Sequence, residues 1–132
     1  MAGELMPLGK IVYVCDDVVQ DSGTRKLDLR GAFTALGPPE GESYPFVQSW
    51  MCVFAQLAGG RGSSLIEVKV VDASTGVAVF GSPAYQVQFP GGQRLTTVLI
   101  RMLDCLFAKQ VVYLVQLFCQ GVFIDDRRLT LL

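Results

Sequence analysis

Three carboxylates and a thiol crowd one short stretch, residues 15–23, which reads CDDVVQDSG. Asp16, Asp17 and Asp21 are hard oxygen donors, and calcium takes about six to eight such oxygens, which β-sandwich modules commonly gather from aspartates in end loops. Asp125 and Asp126 would extend the set if the last strand bends at the same end of the molecule. Two physical points weigh against it. Adjacent strand residues point to opposite faces, so Asp16 and Asp17 can share an ion only where the strand has already ended. Arg127 and Arg128 also offer Asp125 and Asp126 nearer partners. The favoured reading is therefore a strand exit whose aspartates accept hydrogen bonds from turn N–H groups. A cation site at Asp16, Asp17 and Asp21 is the alternative, and a carboxylate acid–base pair is weaker still.

Other chemistry is narrowed by what the chain lacks. It contains no histidine and no asparagine. Without imidazole there is no Ser-His-Asp or Cys-His nucleophile pair and no His-ligated zinc. GxSxG, SxxK, GxxxxGK and a helix-opening GxGxxG are all missing. GGRGSS at 59–64 could offer backbone N–H groups to an anion, but it lies between two strand candidates and reads better as a flexible hairpin loop. No catalytic residue, cofactor or resident metal is expected, and an enzyme is the least favoured class.

Cys15, Cys52, Cys105 and Cys119 lie far apart inside apolar runs with no CxxC, which predicts buried, unbridged thiols and a reducing cytoplasm. The first ten residues, with Glu4 and Pro7, do not read as a secretory signal. The uncharged apolar run 110–124 is short for a spanning helix and is interrupted by Gln116, Gln120 and Gly121, so no membrane partner is expected. A net charge of −1, without a block of like charge, gives no footprint for nucleic acid. Hydrophobic residues make up 51% of the chain and charged ones 17%, below the roughly 25% charged of an average domain. Apolar surface should therefore remain after the core is filled, and another chain is the natural cover.

The elements that position these residues are strands. Gly and Pro clusters recur along the chain, and the runs between them are rich in Val, Leu, Phe and Tyr. Residues 26–35 alternate, with Leu27, Leu29, Gly31, Phe33 and Ala35 on one face, as a half-buried strand requires. Residues 64–72 repeat the pattern with Ile66, Val68 and Val70 inward. Residues 46–57 and 111–119 are apolar on both faces, which marks central or interfacial strands. Residues 93–103 also fit a helical stripe, but Thr96, Thr97 and Val98 favour a strand. Gln120 and Gly121 close a hairpin, and DDRR at 125–128 bends or bulges the last strand. These features predict one domain over residues 1–132, an all-β, immunoglobulin-like antiparallel β-sandwich of about eight or nine strands.

VYVCDDVVQDSGTRKLDLRGAF, an apolar strand running into Cys-Asp-Asp-Val, a Gly-containing turn and a Lys-Leu-x-Leu-x-Gly-x-Phe strand, resembles the opening of an uncharacterised bacterial protein family. The likeness continues through GPPEGESYPF, LAGGRGSSLIEVKVVDASTG and the closing Tyr-x-Val-x-Leu strand at Tyr113. It departs at AKQV, residues 108–111, where similar sequences often carry Pro and Gly. The family is a domain of unknown function, so the resemblance implies a β-sandwich and no activity. Tyr113, two residues before Val115 near the start of the penultimate strand, also resembles the tyrosine corner of immunoglobulin-like folds. The expected role is a non-catalytic interaction or structural module that self-associates or binds a protein partner. A calcium- or small-ligand-binding sandwich is the alternative.

Overall fold

The computed structural model describes residues 6–92 and 94–132, with the backbone alone described at Lys10. Among these residues the regular elements are eleven strands: β1 (Leu8–Cys15), β2 (Asp17–Gln20), β3 (Leu27–Arg30), β4 (Ala35–Leu36), β5 (Phe46–Ala58), β6 (Arg61–Asp72), β7 (Ala78–Gly81), β8 (Tyr85–Pro90), β9 (Leu95–Phe107), β10 (Val112–Cys119) and β11 (Val122–Leu131). No helix among them is long and apolar enough to cross a membrane.

Two sheets face each other. One has the order β1-β5-β9; the other runs β4-β11-β10-β6-β7, with β8 continuing the β7 edge of β6. Inward residues of both sheets, among them Met51, Leu57, Ile66, Ile100, Leu117 and Leu129, form one main core, each such side chain worth roughly 1.5–3 kcal/mol of burial. The fold is an all-β sandwich. Its order β1-β5-β9 against β11-β10-β6 parallels the A-B-E and G-F-C order of immunoglobulin-type sandwiches. One described pairing is parallel, the two-residue contact of β4 with β11, where an antiparallel ladder was expected throughout.

The strand count exceeds the expected eight or nine for two reasons. Residues 26–35 are not one strand. Gly31 sits at φ +62°, turns the chain, and splits the alternation into β3 and β4. Leu27 and Leu29 then pack on a separate outer cluster, whereas Phe33 packs on the main core. The edge beside β6 is also broken between β7 and β8, where the Ser82 hydroxyl accepts a hydrogen bond from the Val68 N–H at 2.9 Å.

GGRGSS is not a hairpin loop. Gly59 and Gly60 carry the chain from one sheet to the other, and Arg61 to Ser64 already pair with β8. Gly60 is required there because a Cβ would lie 2.8 Å from the ring of buried Phe89. Residues 95–103 are strand, as their β-branched content predicts. Gln120 and Gly121 both have positive φ, 51° and 75°, as a two-residue type I′ hairpin requires. The register of β11 slips by one residue between Leu117↔Asp125 and Phe118↔Phe123, so the expected bulge lies at the head of DDRR.

Tyr113 closes the β9–β10 corner. Its hydroxyl donates to the Lys109 carbonyl at 3.2 Å, and its ring meets Phe107 edge-on at 5.2 Å. A tyrosine corner makes the same backward hydrogen bond, here within the divergent AKQV segment.

Candidate interaction surface

The outer face of the β1-β5-β9 sheet is built differently along its length. At one end β2 and β3 form a hairpin that lies over it. Val18 from β2, with Leu27 and Leu29 from β3, packs against Cys15, Cys52 and Phe54. The strand apolar on both faces, 46–57, is thus central, and its outer side is partly covered by the chain's own hairpin. The sequence carried a signal for this cover: Val18, Leu27 and Leu29 recur at alternate-face spacing on either side of the DSG turn.

At the other end the face is uncovered. Inward residues on β5 change parity from Phe46 to Met51, and on β9 from Met102 to Cys105, so both strands kink at Ser49 and Asp104, between the pairs Gln48–Cys105 and Trp50–Leu103. Asp104 takes the left-handed conformation, φ 54°. The kink puts two consecutive residues outward on each strand. Val47 faces Leu106 and Trp50 faces Leu103 across the ladder, and these four side chains are 52%, 50%, 36% and 64% exposed. Directly opposed apolar pairs stabilise a ladder by roughly 0.2–1 kcal/mol each, but half of their surface stays in water. β9 is also an edge strand.

Arg101 joins the two ends. Its guanidinium lies 5.9 Å from the Trp50 ring centroid, 3.5 Å from the Asp17 carboxylate, and donates to the Val18 carbonyl at 3.4 Å. It thereby fastens the hairpin to β9. Both partners of the ion pair are nearly half exposed, so solvent screening leaves the pair itself a small contribution.

The carboxylates singled out in the sequence are separated by this architecture. Asp16 rests against Gly31, where a Cβ would meet it. Asp17 accepts from the N–H of Val18 at 2.8 Å and faces Arg101. Asp21 is the turn cap, accepting from the N–H groups of Gly23 at 2.8 Å and Thr24 at 3.4 Å. Asp125 lies against Gly9 at the start of β1, roughly 23 Å from Asp16 at about 3.3 Å per strand residue. It is at the opposite end, and it accepts from the Asp126 N–H at 2.8 Å. Among the described residues no three acidic or thiol side chains come together as a metal site.

The groups with shifted protonation are buried or turn-bound. Burial pushes the Cys52 thiol up to about 12 and the Cys105 thiol up to about 11, and desolvation also raises Cys15. All four cysteines are buried and unbridged, as their apolar surroundings predict. Asp72 lies below the usual carboxylate range because Ser74 donates to it from both hydroxyl and N–H. A cleft of about 320 Å3 opens between Phe80, Tyr85 and Leu103, and none of these shifted groups lines it.

No curated protein matches the chain significantly. Residues 10–132 match the model of the "Family of unknown function (DUF6941)", and the chain, matched over nearly its whole length, belongs to that family.

Proposed function

We propose that this protein is a non-catalytic interaction module that associates with a second copy of itself through the outer face of β5 and β9. One observation carries the reading: the two opposed pairs Val47–Leu106 and Trp50–Leu103 stand exposed beside a hairpin that covers the adjoining part of that face. A stable interface takes roughly 800 Å2 from each partner around an apolar centre. The four side chains and the adjoining β9 edge supply such a centre. Arg101 and Asp104 border it with opposite charges, so the patch is electrically complementary to itself.

The non-catalytic reading is supported by the absence of histidine and by thiols whose burial moves them away from the nucleophilic thiolate. Four unbridged cysteines support a reducing cytoplasm as the setting, and the near-zero net charge supports a protein partner over nucleic acid or an anionic membrane.

Trp50 is the chain's one tryptophan and sits in the proposed contact, so its emission reports the association directly. Dilution from high to low micromolar concentration is expected to shift the emission to the red as Trp50 regains water. A spectrum independent of concentration over that range contradicts the reading.

A further inference from the structure

Cys15 ends β1 and stands directly opposite Cys52 in the antiparallel β1–β5 ladder. Residues so placed project from the same face with Cα atoms about 4.5–5.5 Å apart, inside the roughly 4.4–6.8 Å that a disulfide spans. Both side chains are in the outer cluster beneath the β2–β3 hairpin. The Cys15 thiol approaches the Cys52 carbonyl at 3.7 Å. The ladder sets Cys105 opposite Gln48 and Cys119 opposite Ile66 and Val122.

We propose that Cys15 and Cys52 form an oxidisable dithiol that closes to a cross-strand disulfide under peroxide, with the β2–β3 hairpin as its gate. Neither sulfur is accessible while the hairpin is seated, since both residues are fully buried. The gate is lightly held. Its apolar contacts come from Val18, Leu27 and Leu29, and its polar ties to β9 are the Arg101 contacts with Asp17 and Val18. Lifting it exposes Cys15 first, because that residue ends its strand next to the hairpin root whereas Cys52 lies within the central strand.

The Cys15 thiolate attacks a peroxide oxygen, the O–O bond breaks, a sulfenic acid forms and water or an alcohol leaves. With the hairpin lifted and the desolvation of Cys52 relieved, its thiolate attacks the sulfenyl sulfur, the S–S bond forms, the S–O bond breaks and hydroxide leaves, taking one of the released protons as water. The two sulfurs together lose two electrons and the peroxide gains two. No strand has to move, because the register already sets the required spacing.

The test is hydrogen peroxide added to the native, full-length chain, followed by non-reducing tryptic mass spectrometry. The expected product is a loss of 2 Da, with peptide 11–25 joined to peptide 31–61, the fragments that carry Cys15 and Cys52. The cross-link should vanish in Cys15→Ser and in Cys52→Ser, with Cys105 and Cys119 remaining thiols in both. Arg101→Ala, which removes the fastening of the gate, should form the same cross-link several-fold faster while keeping the wild-type circular dichroism. Scattered pairings, oxidation to sulfinic acid without a cross-link, or an unreacted native protein that oxidises only after unfolding would each overturn the proposal. An Arg101→Ala rate equal to wild type would overturn the gate.

Discussion

Replacing Tyr113 with Phe isolates the hydroxyl that closes the β9–β10 corner. The ring is 2% exposed and stays packed against Phe107 at 5.2 Å, so the substitution removes only the 3.2 Å bond to the Lys109 carbonyl. Lys109 is exposed, and water can satisfy its carbonyl, so the loss should be that of one ordinary hydrogen bond, about 1 kcal/mol. Unfolding entropy of ~2.1 cal/mol/K per residue over 132 residues converts this to a fall in Tm of about 3.5 °C. Tyr113→Ala also empties the ring's place in the core, and large aromatic truncations cost about 3–5 kcal/mol. Urea titration should show a lower midpoint for each variant, in that order, with unchanged m. A Phe variant as stable as wild type would mean that the hydroxyl bond does not hold the corner. A Phe variant as weak as the Ala variant would refute the separation of ring packing from hydroxyl bonding.

The other expectations follow from single contacts. Asp21→Ala, which removes the acceptor for Gly23 and Thr24 N–H groups, should lower stability by about 0.5–1 kcal/mol, and millimolar calcium should leave the melting temperature of wild type and variant alike unchanged. Gly60→Ala places a Cβ 2.8 Å from the Phe89 ring and should cost about 1–3 kcal/mol by overpacking, read as a lower urea midpoint. Ser74→Ala removes the hydroxyl bond that holds Asp72 low, so carboxylate NMR should show Asp72 titrating higher. The wild-type turn contributes fully above the unfolded carboxylate pKa and loses that contribution as pH falls through the folded value. The thiols act in the opposite direction. Folding raises Cys52 from 9.0 to about 12 and Cys105 from 9.0 to about 11, so their contribution is complete below pH 9 and is lost progressively up to those folded values. Chemical denaturation across that range should show the decline, and Cys105→Ala should reduce it.

Much of the sandwich was readable because burial imposed a period of two. Ser64 to Asp72 and the Gln120-Gly121 hairpin were legible for that reason, and the four buried thiols followed from apolar neighbours. The reading failed where backbone conformation changed without a change in apolar pattern. Gly31 fits an alternating strand by side-chain type, yet its positive φ ends the strand and sends Leu29 and Phe33 to different clusters. Residues 46–57 are apolar on both faces, which composition alone cannot divide between a self-cover and an interface. The kink at Ser49 and Asp104 was invisible for a related reason, since aspartate only sometimes occupies the left-handed region. For the carboxylates, proximity in sequence concealed separation in space. Asp16, Asp17 and Asp21 span a strand exit, a strand start and a hairpin turn, and each has a different neighbour.

Light-scattering mass in solution tests the association most directly. The wild type at tens of micromolar is expected to have at least twice the 14.4 kDa of one chain, and Leu103→Glu, which places a charge at the centre of the exposed patch, should return it to one chain without lowering the melting temperature. A wild-type mass of one chain throughout that concentration range, or a Leu103→Glu variant that remains associated, would contradict that expectation.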